Sequence, residues 1–213
     1  MTTAFTLTLN DSLEALAEYL KVSASELIEY AAADRYTGWD GGEGAWPMGS
    51  LWTPEGQTLY ALIRIFDCQT IVECGTWRGC SATHMAQACK DKGSGQVTTV
   101  DIYENTGDMI PNRLRPLVTQ VFMKGEDYLA TLPDDSLDMI YEDTYHGRDM
   151  VAAVWTVGVP KLKPGGLFVS HDALHGQEGV DICNGVEDAG ITDYITLLVP
   201  PSDCGLLIWR KVK

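Results

Sequence analysis

From Pro54 onward, short β-branched apolar runs alternate with helix-periodic segments, and this alternation constrains the fold more than any other feature. Helix Pro54 to Phe66 leads to strand Thr70–Cys74, then a turn and helix Ser81–Lys90. Strand Gln96–Ile102, a polar stretch with a short helix around Pro111–Leu117, and strand Gln120–Lys124 follow. Helix Glu126–Leu132, strand Leu137–Glu142, helix Asp149–Val157 and, after the turn Lys163-Pro164-Gly165-Gly166, strand Leu167–Ser170 continue the pattern. Repeating βα units predict a mainly parallel sheet with helices on both faces. The ending breaks the rhythm. Tyr194–Val199 and Gly205–Val212 are joined by Pro200-Pro201-Ser202-Asp203-Cys204, too short for a crossover helix, so these two strands must run antiparallel. The expected fold is therefore α/β: a Rossmann-like, doubly wound, mainly parallel seven-stranded sheet closed by an antiparallel hairpin.

Residues 1–53 read as a separate helical cap and lid, ahead of a main domain at 54–213. Leu13, Leu16, Ala17 and Leu20, then Leu27, Ile28 and Ala31, recur at helical spacing. Asn10 or Ser12, and Ser23 or Ser25, are the candidate N-caps. This pair resembles a helix-turn-helix in outline, but Lys21 is the one base nearby, and a packing or dimerising hairpin is the better reading. Between Gly38 and Trp52 lie five glycines and three tryptophans with no regular period. This is either a surface loop with its rings tucked under or a lid covering a ligand.

Ligands of an open α/β sheet bind beyond the carboxyl ends of its strands. After the first strand, Gly75 and Gly79 bracket a tight turn that lets backbone approach a ligand. Trp77 stands where a dinucleotide fingerprint has its middle glycine; a ring there would obstruct a pyrophosphate, which disfavours NAD and FAD. The next strand ends in Asp101, a carboxylate placed to accept from both hydroxyls of a ribose. Gly125-Glu126-Asp127 follows the third strand, where side chains can meet an adenine edge.

With these residues in view, the chain resembles the small O-methyltransferases of the catechol O-methyltransferase type, over roughly residues 48–213. Ile71-Val72-Glu73-Cys74-Gly75-Thr76-Trp77-Arg78-Gly79-Cys80-Ser81-Ala82 resembles that family's first motif. Glu55-Gly56-Gln57 resembles its helix start, and Asp138-Met139-Ile140-Tyr141-Glu142-Asp143, the Lys163–Gly166 turn and the terminal hairpin continue the likeness. The resemblance implies an S-adenosylmethionine-dependent methyltransferase. It places Glu73 and Gly75 beside the methionine part of the cofactor, Ser81 on its carboxylate, Asp101 on its ribose, and Glu126 and Asp127 at its adenine end, with Met48, Trp77 and Gly79 as further cofactor contacts. It also implies a divalent metal, magnesium or manganese, that binds the acceptor oxygens. Asp143 matches a ligand position, and the next pair reads His171-Asp172 where the family typically shows Asp-Asn or Asp-Asp. A histidine among oxygen ligands leans toward a transition metal. His146 stands three residues after Asp143, where the family carries its lysine base, and could take the acceptor's proton.

Composition narrows the partners. A net charge of -15 repels phosphate backbones and anionic lipid, so a small-molecule acceptor is expected and nucleic acid or membrane is not. The six cysteines form no CxxC pair, which fits a reduced, cytoplasmic setting. A homodimer through the N-terminal helices is compatible with this pattern. The alternatives are a metal-independent O- or N-methyltransferase with a histidine base, and a non-catalytic nucleoside-binding protein. The segment His175–Gly190 borders the expected acceptor pocket but matches no motif.

Overall fold

The computed structural model describes residues 7–35 and 51–212. Met48, Trp39, Trp46 and most of the Gly/Trp-rich segment lie outside the described residues. The elements in chain order are α1 (Leu9–Leu20), α2 (Ala24–Ala33), α3 (Thr53–Ile65), β1 (Thr70–Cys74), α4 (Cys80–Lys92), β2 (Gln96–Asp101), a 3-10 turn (Arg115–Leu117) and β3 (Val118–Phe122). They continue with α5 (Gly125–Ala130), β4 (Leu137–Glu142), α6 (Arg148–Gly158), a second 3-10 turn (Val159–Lys161), β5 (Leu162–Ser170), α7 (Gly176–Asp188), β6 (Ile195–Leu197) and β7 (Leu206–Arg210).

The strands form one seven-stranded sheet in the order β3-β2-β1-β4-β5-β7-β6. β1 to β5 are parallel, and β7 runs antiparallel both to β5 and to β6. Successive residues of a strand face opposite sides, and both sides here are apolar. Met139 and Tyr141 of β4, with Leu167 and Val169 of β5, pack into the core shared with α1 to α4. Ile140 and Phe168, between them in sequence, join the opposite core with Val151, Val154 and Trp155 of α6 and Ile182 and Val186 of α7. Trp155 stacks on Phe168 with ring centroids 3.8 Å apart. Leu13, Leu16, Leu20 and Leu27 are buried in the same cluster as α3 and α4, so the N-terminal helices share the main core.

Several expected boundaries move. The cap of α1 is Thr8, whose side chain accepts from the Asp11 backbone N–H while Asp11 reaches back, a capping box. Ser12 is instead buried and donates to the Leu198 carbonyl at 2.6 Å, tying α1 to the edge of the hairpin. Ser23 caps α2 as expected. β3 begins at Val118, two residues before the expected start, and the Lys163–Gly166 turn lies within β5, where the pairing with β4 shifts register. The largest departure is α7: Gly176–Asp188 is a helix within a segment to which no element was assigned from the sequence.

Candidate active site

Backbone hydrogen bonds carry the parallel ladder one step past the strands. Gly75 N–H donates to the Val100 carbonyl at 2.8 Å, Asp143 N–H to the Cys74 carbonyl at 2.8 Å, and His171 N–H to the Glu142 carbonyl at 3.1 Å. These bonds line up Asp101, Gly75, Asp143 and His171 along the carboxyl edge, in the order of β2, β1, β4 and β5. A cavity of about 660 Å³ opens above that edge, within the usual size for a small-molecule site. Its wall includes Gly75, Trp77, Asp101 and Glu126 toward β2, and Asp143, His146, His171 and Asp172 toward β5.

The β2 side is built around the β1–α4 turn. Asp101 Oδ2 accepts from the backbone N–H groups of Thr76 and Trp77, both at 3.0 Å, and Oδ1 accepts from Tyr103 N–H at 3.0 Å. One carboxylate thus holds the turn and the start of its own loop. Trp77 takes φ +41 and leaves its ring 58% exposed at the cavity mouth. Gly75 has φ +97, and a Cβ there would lie 2.0 Å from the Asp143 carbonyl oxygen. Only glycine lets the turn meet the end of β4 so closely. Glu73 is fully buried beneath, with Ser81 and Thr99 hydroxyls donating to its two oxygens. Burial pushes the Glu73 carboxyl up to about 8 against those two hydrogen bonds. Ser81 is therefore engaged with Glu73, and neither it nor Gly79 lines the cavity. Ile102, Tyr103 and Met123 form an apolar wall here, while Asp127 is exposed on α5 away from the cavity.

The β5 side gathers titratable groups. His146 Nε2 lies 3.3 Å from Asp143 Oδ1 and 3.4 Å from Asp172 Oδ2. His171 Nδ1 lies 3.4 and 3.3 Å from the same two oxygens. Asp172 reaches inward from a left-handed backbone with φ +55. Burial alone would raise Asp143, but the adjacent His171 and His146 hold it well below the usual carboxylate range. Burial would likewise lower His146, and the Asp143 and Asp172 carboxylates override it, raising the imidazole to about 9. His171 is raised well above its ordinary value against burial, Asp143 being the chief cause.

Three contributors here had no site role assigned from the sequence. Glu55, fully buried at the start of α3, sits 3.1 Å from His171 Nε2. It is fixed by Ser202 Oγ at 2.7 Å, Gly205 N–H at 3.1 Å and Trp52 N–H at 3.1 Å. Glu178 of α7 approaches His146 Nδ1 at 3.4 Å. Cys204 lines the cavity with its thiol, pushed up to about 12 by burial and so protonated. Partners 116 residues apart, such as Glu55 and His171, leave no local signal to find.

Comparison with known proteins agrees with this geometry. A family model described as "Methyltransferase domain" matches residues 72–173, from β1 to just past the His171-Asp172 pair. A relative from Mycobacterium sp. (strain JLS), named "Putative O-methyltransferase", is 28% identical over 193 residues, covering 87% of this chain and 83% of the relative. The O-methyltransferase TomG from Streptomyces achromogenes, solved in complex with SAM, shares the fold with a TM-score of 0.61 at 21% identity, covering 92% of this chain and 93% of that one. The O-methyltransferase from Bacillus cereus, solved in complex with SAH, does so with a TM-score of 0.62 at 17% identity, covering 93% and 96%. Taken with the glycine turn, the Asp101 carboxylate and the strand order, these matches give the chain the Rossmann-like fold of those structures and a region, residues 72–173, that is similar to a methyltransferase domain.

Proposed function

We propose that the chain transfers the methyl group of S-adenosylmethionine to a hydroxyl of a small-molecule acceptor, assisted by a divalent cation held by Asp143, His171 and Asp172. The observation that carries this reading is the single cavity that joins the Gly75–Asp101 side to the Asp143–Asp172 cluster. Asp101 retains acceptor capacity for the ribose hydroxyls beyond its three N–H donors, and the Ile102–Tyr103–Met123 wall flanks the adenine with Glu126 beside it. Glu73, through Ser81, underlies the methionine end, and Gly75 lets the cofactor lie against bare backbone. The acidic wall (Asp101, Glu126, Asp143, Asp172 and Glu178) suits a cationic sulfonium donor and a neutral or cationic acceptor.

The donor set fits a dication, since the His171 Nδ1 nitrogen lies 3.4 and 3.3 Å from a carboxylate oxygen of Asp143 and of Asp172. Such an ion would lower the pKa of the acceptor oxygen it binds. The protein's own contribution is to hold donor and acceptor in line in a cavity bounded by rigid strand ends. Asp143 is placed by the β1–β4 ladder and Asp172 by its left-handed backbone, so the cluster is preorganised.

A metal-independent reaction with His146 as base is the second reading, and its position beside Asp143 and Asp172 favours it geometrically. Without a cation, however, those carboxylates keep His146 protonated up to about pH 9. A metal-free base mechanism therefore predicts activity that rises through pH 9. Turnover to S-adenosylhomocysteine on a panel of catechol-like and polyhydroxylated acceptors, with and without EDTA, separates the two readings. Loss of turnover on chelation and recovery with added manganese is expected. Turnover indifferent to EDTA would overturn the metal-assisted version.

A further inference from the structure

We infer that His146 is itself a ligand of the cation, so that the site presents two imidazoles and two carboxylates and selects a transition-metal dication over magnesium. The inference rests on the metal-assisted reading and replaces the base role expected for His146 from its position.

The first observation is a closed ring of donor atoms. His146 Nε2, Asp143 Oδ1, His171 Nδ1 and Asp172 Oδ2 alternate nitrogen and oxygen, with the four sides at 3.3, 3.4, 3.3 and 3.4 Å. Tetrahedral coordination at about 2.0–2.1 Å separates neighbouring donors by about 3.3–3.4 Å. An octahedral magnesium shell at about 2.0–2.1 Å separates them by about 2.9 Å. The four sides of the ring match the first spacing.

The second observation is what each imidazole does with its other nitrogen. Glu55 is fully buried and already accepts from Ser202, Gly205 and Trp52, so toward His171 Nε2 it can only accept a proton donor. That commits Nε2 as an N–H and leaves Nδ1, which faces Asp143 and Asp172, as the nitrogen that could give its lone pair to a cation. His146 repeats the arrangement, with Nδ1 toward Glu178 and Nε2 toward the same two carboxylates. Carboxylate–imidazole pairs aimed at a common point are how proteins orient histidine ligands around a metal. Here two such pairs, from different parts of the chain, share one point.

The third is chemical. Imidazole nitrogen is a poor magnesium donor and a good one for manganese, iron, cobalt and zinc, with affinity rising from manganese through iron to cobalt. The site's departure from an all-oxygen set is thus a statement about which ion it takes.

The full chain, stripped by chelator dialysis, should be titrated calorimetrically with Co(II) and with Mg(II), and the Co(II) form read by its visible absorption. S-adenosylhomocysteine affinity and thermal melting serve as checks that each variant is folded. One Co(II) per chain, bound about 100-fold or more tighter than Mg(II), is expected. His146→Ala should weaken Co(II) about 10- to 100-fold and alter its absorption bands, and Glu55→Gln should weaken it about 10-fold. Equal affinity for the two ions, or Co(II) binding and bands unchanged in His146→Ala, would overturn the inference. Should wild type bind neither ion, the inference and the metal-assisted reading both fall, while retained S-adenosylhomocysteine binding would leave the methyl-donor reading standing. Tight Co(II) binding without S-adenosylhomocysteine binding would leave the inference intact and sink the methyl-donor reading.

Discussion

The two sides of the cavity are built in different ways. On the β2 side, one turn of consecutive residues does most of the work, with backbone N–H groups bound to a carboxylate one βα unit later. On the β5 side, side chains from α3, the ends of β4 and β5, α7 and the β6–β7 loop meet at one point. The first arrangement depends on backbone conformation and tolerates little change of shape. The second depends on charge and donor type, and can be retuned one residue at a time. On the proposed function, a methyl donor common to many reactions would be held by the first, and the acceptor side would be left to the second.

The two sides touch at Gly75, which is where the largest effect is expected. Gly75→Ala would place a Cβ 2.0 Å from the Asp143 carbonyl oxygen in a φ +97 backbone. Strain of roughly 1–3 kcal/mol, before the clash, should lower the melting temperature and abolish both S-adenosylhomocysteine and cation binding. Asp101→Ala should separate the sides. It removes three charge-assisted acceptor contacts, so S-adenosylhomocysteine affinity should fall about 10- to 100-fold while Co(II) affinity, measured in parallel, stays unchanged. A matching loss of Co(II) would show that the sides are not independent.

A smaller effect comes from Glu73, which lies under the turn. Its folded-state value of about 8 exceeds the ordinary 4.5, so the native state holds a proton that the unfolded chain releases between those values. Stability of the cofactor-free protein should therefore decline as pH rises from 4.5 to 8, at most about 1.4 kcal/mol per unit. Glu73→Gln should flatten that decline in denaturant titrations at several pH values. The smallest effect serves as a control remote from both sides. Arg148 and Asp188 pair across α6 and α7 with both side chains about half exposed. Asp188→Ala should leave the melting temperature nearly unchanged, with both ligand affinities untouched.

The same contrast explains what could be read in the sequence. β1, β2 and β4 were legible because each is a short β-branched run whose last residue sits beside a site-forming group. The terminal hairpin was legible because its connection is too short for a helix. α7 was not, since Gly176, Gly179 and Gly185 look like turn residues. Gly179 and Gly185 serve packing instead: a Cβ on Gly179 would meet the Ala173 carbonyl at 2.7 Å, and one on Gly185 the Arg148 carbonyl at 2.6 Å, while Gly176 takes a left-handed φ of +53. Glycine here permits close approach of a helix, and tertiary burial outweighs its low helix propensity. Thr8 was missed as a cap because Ser12 and Asn10 are equally good local candidates, and the burial of Ser12 against Leu198 decides between them. His171 and Asp172 could be picked out as neighbours at a strand end. That His171 leans on Glu55 depends on α3 crossing over the β5 end, which no local pattern encodes.

The central claim is that one cavity holds the methyl donor along the β1 turn and a cation at the ends of β4 and β5. Diffraction from crystals grown with S-adenosylhomocysteine and Mn(II) tests it directly. The account predicts the nucleoside ribose on Asp101 and an anomalous peak enclosed by Asp143, His146, His171 and Asp172. A nucleoside bound away from Asp101, or no anomalous peak among those four side chains, would contradict it.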